Sequence, residues 1–94
     1  MTNYYVYFLT NYTNSVIYTG VTNDLIRRVT EHREQPSGFV KRYSVWKLVY
    51  YETFDDAYSA LAREKQIKGG SRAAKIALIK RVNPTWRDLA LDLL

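Results

Sequence analysis

The chain has no cysteine among its 94 residues. Neither a disulfide nor a Cys-ligated zinc can staple it, so its stability must come from packing. No apolar run approaches the ~18 residues a membrane-spanning helix needs. No basic-then-apolar stretch opens the chain, and Met1-Thr2-Asn3 leads straight into a strand-like run. These absences set the expectation of a soluble, cytoplasmic protein without a membrane partner. Prolines number two and glycines four, and the chain holds no repeat, linker or low-complexity tract. Acid is also scarce, with nine Asp and Glu against fourteen Lys and Arg, a net charge of +5.

What is present is an apolar fraction of 47%. A chain this short buries only about 60–65% of its unfolded surface, so those residues must form one compact core. The expectation is one domain over residues 1–94. The positive charge is concentrated late. From Arg63 to Arg87 there are eight basic residues, with Glu64 the one acid between them. Such a span reads as a face for a polyanion, DNA or RNA, with a solubilising helix surface as the plainer alternative. Lys68, Arg72 and Lys75 are its candidate nucleic-acid contacts.

Residues 4–9 are aromatic and β-branched and read as a strand. Turn chemistry follows at 10–14, and 15–19 reads as a second strand closing a hairpin. Gly20 ends it, where a side chain would crowd a close backbone approach. Thr22 or Asn23 can cap a helix running to about Glu34, with Leu25, Ile26, Val29 and Arg33 on one stripe. The run Gln35-Pro36-Ser37-Gly38 breaks it, and 39–43 is ambiguous. Residues 46–52 read as a third strand. Thr53 or Asp55 can cap a second helix, with Phe54, Tyr58 and Leu61 as its apolar stripe, ending at Gly69-Gly70. Ser71 caps a third helix, and Asn83-Pro84 starts a short fourth. The order β-β-α-β-α-α-α implies an α+β fold, a small three-stranded, mostly antiparallel sheet flanked by helices.

Within this frame, polar residues recur at set intervals. Tyr5-Val6-Tyr7 precedes Tyr18-Thr19-Gly20, Arg28 and His32 follow one helical turn apart, and Glu64 comes later. Each also has an ordinary reading. Tyr7 and Tyr18 are common sheet aromatics, Arg28 a solvated helix charge and His32 a boundary histidine. Glu64 can pair with Lys68 at i+4, for about 0.2–0.5 kcal/mol. As an ordered set they resemble the GIY-YIG nuclease superfamily, especially its short stand-alone bacterial members. Tyr5-Val6-Tyr7 stands for the first motif and Tyr18-Thr19-Gly20 for the second, with Tyr5 replacing a glycine. Arg28 rather than Arg27 falls at the family's catalytic arginine. Glu64, in Ala62-Arg63-Glu64-Lys65, matches its metal-binding glutamate. Asn83 matches a late asparagine but reads first as a helix cap.

The resemblance implies a metal-dependent endonuclease or nickase acting on DNA phosphodiesters. Tyr7, Tyr18, Arg28, His32 and Glu64 would form its centre, with Mg²⁺ or Mn²⁺ held by Glu64 and Gly20 and Asn83 in support. Arg28 would fork onto phosphate oxygens. The general base stays open among Tyr7, Tyr18 and His32. With no second recognition domain in the sequence, weak sequence specificity is expected, with a preference for branched or nicked DNA. The setting stays open among DNA repair, recombination and mobile elements. The alternative is a nucleic-acid-binding module with the same fold and little turnover. A protein-interaction module using exposed Tyr and Trp comes third.

Overall fold

The computed structural model describes residues 2–93. Three antiparallel strands, β1 (Tyr4–Thr10), β2 (Ile17–Thr22) and β3 (Lys47–Phe54), form one sheet in the order β2-β1-β3. Five helices surround it: α1 (Leu25–Glu34), α2 (Gly38–Tyr43), α3 (Ala57–Lys68), α4 (Arg72–Val82) and α5 (Ala90–Leu93). The α+β class and the flanked three-stranded sheet agree with the sequence reading.

The central strand explains the rest. β1 reads as an unbroken apolar run because both of its faces are covered, and Val6 to Thr10 are all buried. Alternation sends Tyr7 and Leu9 to one face, where they pack with Leu25 and Val29 of α1, Val40 of α2 and Ala90 of α5. Val6 and Phe8 point the other way, onto Ala60 and Ile67 of α3 and Ile79 of α4. A register shift at Phe8/Leu9 sets Tyr50 opposite Phe8 and Leu48 opposite Leu9. The bulge leaves Val49 and Tyr50 together on the α3 side, and Leu48 on the α1 side.

Several local expectations are corrected. β2 continues through Gly20 to Thr22, because Gly20 pairs with Tyr7 inside the ladder. The α1 cap is Asp24, whose side chain accepts from the Arg27 amide, while Thr22 Oγ1 accepts from the Asp24 amide. The α3 cap is Asp56 rather than Thr53 or Asp55. Tyr58 and Leu61 do not form the buried stripe of α3; both are exposed, and the small Ala60 with Ile67 faces the sheet. Residues 39–43 are helical, as α2. Pro84 opens no helix: residues 84–85 form a turn, and α5 begins only at Ala90.

Candidate active site

On the α1 face, the Cβ that any other residue would add at Gly20 falls 2.5 Å from the Tyr7 hydroxyl oxygen. Glycine is therefore required for steric reasons, and the bare backbone of β2 makes room for the Tyr7 phenol. Tyr7 is 1% exposed, and its hydroxyl lies 2.9 Å from His32 Nε2 on α1. Tyr18 completes a three-ring group, with centroids 6.2 Å from Tyr7 and 5.6 Å from His32, the latter edge-on.

Helix α1 supplies the charge. Arg28 and His32 lie one turn apart on its inner flank. The Arg28 guanidinium is near enough to the Tyr7 hydroxyl to act on its charge, and its Nη1 donates to Glu31 Oε2 at 3.2 Å. Arg27, rotated ~100° away, points outward to Asp24 and Glu31 at 3.9 and 3.8 Å.

These surroundings fix the protons. Burial pushes the Tyr7 hydroxyl well above the ordinary phenol range; the Tyr18 oxygen adds to this, and the adjacent Arg28 only partly opposes it. Burial lowers His32, the Arg28 charge lowers it further, and Glu31 acts against both. At neutral pH the pair is thus a protonated phenol and a neutral imidazole. The Tyr7 O–H can donate to Nε2, which places the imidazole proton on Nδ1.

Glu64 is carried by α3, whose Ala60 and Ile67 pack on the Val6–Phe8 face and which also runs against β2. It lies on the Ala60–Glu64–Ile67 stripe of α3, spaced to face the strands, and its side chain is 18% exposed. Lys68 Nζ pairs with it at 3.4 Å. Among the described residues, no hydrogen bond, ion pair or ring contact joins it to the Tyr7 group. Nor do three His, Asp or Glu side chains converge on a common point among them. Hard divalent cations often take one or two carboxylates and complete their shell with waters and substrate phosphate. A single, largely enclosed carboxylate such as Glu64 fits that donor pattern.

Asn83 ends α4 and clamps the turn after it. Its Nδ2 donates to the Val49 and Arg87 carbonyls at 3.0 and 2.9 Å, and its Oδ1 accepts from the Arg87 amide at 3.2 Å. Lys68, Arg72 and Lys75 gather where α3 meets α4. Burial lowers the Lys75 ammonium, and the Lys68 and Arg72 charges lower it further. Beside them, α3 and α4 enclose a cavity of about 370 Å³ whose lining includes Arg63, Gln66, Lys75 and Arg81.

Two clusters were not foreseen. Asp88 accepts both Arg33 Nη2 contacts at 2.7 Å and the Leu48 and Ala90 amides at 3.2 Å each. Arg33 Nε also donates to the Trp46 carbonyl. A clue existed: an arginine on an apolar stripe needs a buried partner. On the far face, Arg63 forks onto Glu52 with two bonds of 2.9 Å, and the Tyr50 hydroxyl donates to the same carboxylate. Burial raises Tyr50 to about 12, helped by Glu52. Burial would also raise Glu52, but the bonds from Arg63 and Tyr50 outweigh it and hold the carboxylate low.

Comparison with known proteins agrees with the fold. The chain is 40% identical over 86 residues to a UPF0213 protein of Syntrophus aciditrophicus, covering 89% of this chain and 97% of the relative. It is 30% identical over 80 residues to one from Pediococcus pentosaceus, covering 84% of each. The solution structure of a UPF0213 protein from Bacillus halodurans matches with a TM-score of 0.58 and 28% identity over 92% of both chains. Residues 3–77 match the family model described as the GIY-YIG catalytic domain. The chain therefore belongs to the GIY-YIG family, whose domain is a nuclease domain and implies a nucleic-acid substrate.

Proposed function

We propose that the protein is a metal-dependent endonuclease or nickase that hydrolyses DNA phosphodiesters with weak sequence specificity and prefers branched or nicked substrates. The observation that carries the reading is the Tyr7 hydroxyl, buried 2.9 Å from a neutral imidazole nitrogen with Arg28 alongside. A phenol held above its ordinary range does not ionise into bulk water. It can accept a proton from an attacking water while passing its own to His32 Nε2, so two protons shift together, one net proton reaches His32, and no free phenolate is needed. His32 ends as the imidazolium, next to Glu31. Arg28 faces the phosphate oxygens and offsets charge that builds up in the transition state. The Tyr18 ring orders water and phosphate against this pair. Glu64 would hold Mg²⁺ or Mn²⁺, which when bound polarises the phosphate and stabilises the leaving oxygen.

Nicking of supercoiled plasmid, with Mg²⁺ or Mn²⁺ and with chelator, tests the proposal. The native chain should nick only with metal, and Glu64→Ala should stop nicking while leaving the fold intact. Arg28→Ala should lose about 10²-fold or more in rate, and Arg27→Ala little. Metal-independent nicking, or equal rates for the two arginine variants, would mean that the centre lies elsewhere. Binding without any turnover would favour the binding-module alternative.

A further inference from the structure

Helix α2 carries a row of rings that the proton relay does not use. Phe39 and Tyr43, one turn apart, are 44% and 39% exposed. The core contact of this segment is made instead by Val40 and Val45, both buried. The Phe39 ring centre lies 4.6 Å from Tyr43 and 5.7 Å from Tyr18, with planes tilted by 42° and 38°. The Arg42 guanidinium carbon stands 5.4 Å from the Tyr43 ring centre. The row thus begins at Tyr18, inside the candidate site, and runs outward to a cation.

Charge identifies the occupant. Residues 35–51 include Lys41, Arg42 and Lys47 and no acid. Exposed flat rings flanked by cations suit a polyanion that presents flat rings of its own, which describes a nucleic-acid strand. A continuous duplex hides its base faces in its own stack, so the bases concerned must be unpaired. We infer that Phe39 and Tyr43, with Arg42 beside them, form a stacking platform for unpaired bases of the strand whose phosphate enters the Tyr7–Tyr18–His32 site. The inference deepens the nuclease reading and rests on it for where that strand leads. The platform places single-stranded or frayed segments immediately beside the reacting phosphate.

Fluorescence anisotropy in chelator, with labelled oligothymidylate and a labelled hairpin duplex as probes, tests the platform. Phe39→Leu and Tyr43→Leu keep apolar bulk but lose the flat face. Each should weaken oligothymidylate binding about tenfold and hairpin binding about twofold or less. Tyr43→Phe should bind as the native chain does. Tyr58→Leu, on the opposite face of the sheet, should change neither probe. Equal losses on both probes, or losses no larger than for Tyr58→Leu, would overturn the inference. Phe39→Trp supplies a reading independent of the leucine variants: oligothymidylate should quench its emission beyond any change in the native chain, and no added quenching would also overturn it. Because binding is read without metal, a chain that stacks single strands yet never nicks plasmid would remove the nuclease reading alone.

Discussion

The Tyr7–His32 hydrogen bond unites two groups whose ordinary protonation is altered in opposite directions by one cause, burial. This has a consequence for stability. His32 is held below its ordinary range in the fold, while in the unfolded chain it titrates near ~6.5. As pH falls below ~6.5 the unfolded state takes up the proton first, so stability is full above that value and declines towards the lowered folded value. Urea midpoints measured across this range should fall in the native chain and stay flat in a His32→Gln variant. Glu52 acts in a separate window. Its carboxylate is depressed, so its contribution is present above its unfolded pKa and is lost as pH falls through its lower folded range.

Among the elements, α1 is held from both ends. Asp24 caps its start, and Arg33 near its end is forked onto Asp88, which also accepts the Leu48 amide of β3 and the Ala90 amide of α5. Asp88→Ala should cost about 2–3 kcal/mol by leaving Arg33 and the amides without their partner. Asp88→Asn, which keeps an acceptor for the amides, should cost about half as much; urea unfolding compares the two. A result in which both variants match the native chain would mean that water replaces the clamp. No local pattern could reveal this clamp, since its partners are separated by 55 positions. The strands were legible because aromatic and β-branched runs leave few alternatives to a sheet; the α4 cap Ser71 was read correctly, and the α1 and α3 caps erred by one to three residues because several Thr, Asn and Asp stand close together there. The α3 stripe was misread for a physical reason: Ala60 contributes by being small enough for close approach, whereas Tyr58 and Leu61 look hydrophobic and face water. Helix α2 has only six residues, too few to show a period, and so its ring row was invisible. The ordered set suggested Tyr7, Tyr18, Arg28, His32 and Glu64 as a group; the fold draws the first four together, with a hydrogen bond and a depth of burial that came only with it, whereas the contact found for Glu64 among the described residues is to Lys68.

Across the whole molecule, the rings and Arg28 occupy the α1 face of the sheet, while Lys68, Arg72 and Lys75 lie on the α3–α4 side. Arg72 reaches the Asn14 carbonyl in the turn between β1 and β2, tying that patch to the hairpin end. Binding to duplex DNA should weaken with salt at a log–log slope of about −0.9 per phosphate contacted. Charge reversal at Lys68, Arg72 and Lys75 should flatten that slope and weaken binding alike on unrelated sequences, as titrations at several salt concentrations would reveal. A preference for one short sequence that salt does not change would contradict this and indicate base-edge contacts. The sheet itself adds a geometric consequence. β2 and β3 are the two edges of the sheet, and the Tyr7 group and the Lys68–Arg72–Lys75 patch lie towards opposite faces of it. On the proposed reading, a nucleic acid engaging both would pass around one edge, and the Arg72 bond to the β1–β2 turn favours the β2 edge. Its protected stretch would then lie to one side of the cut rather than centred on it, and a single copy would tell one strand from the other without an inverted repeat in the substrate.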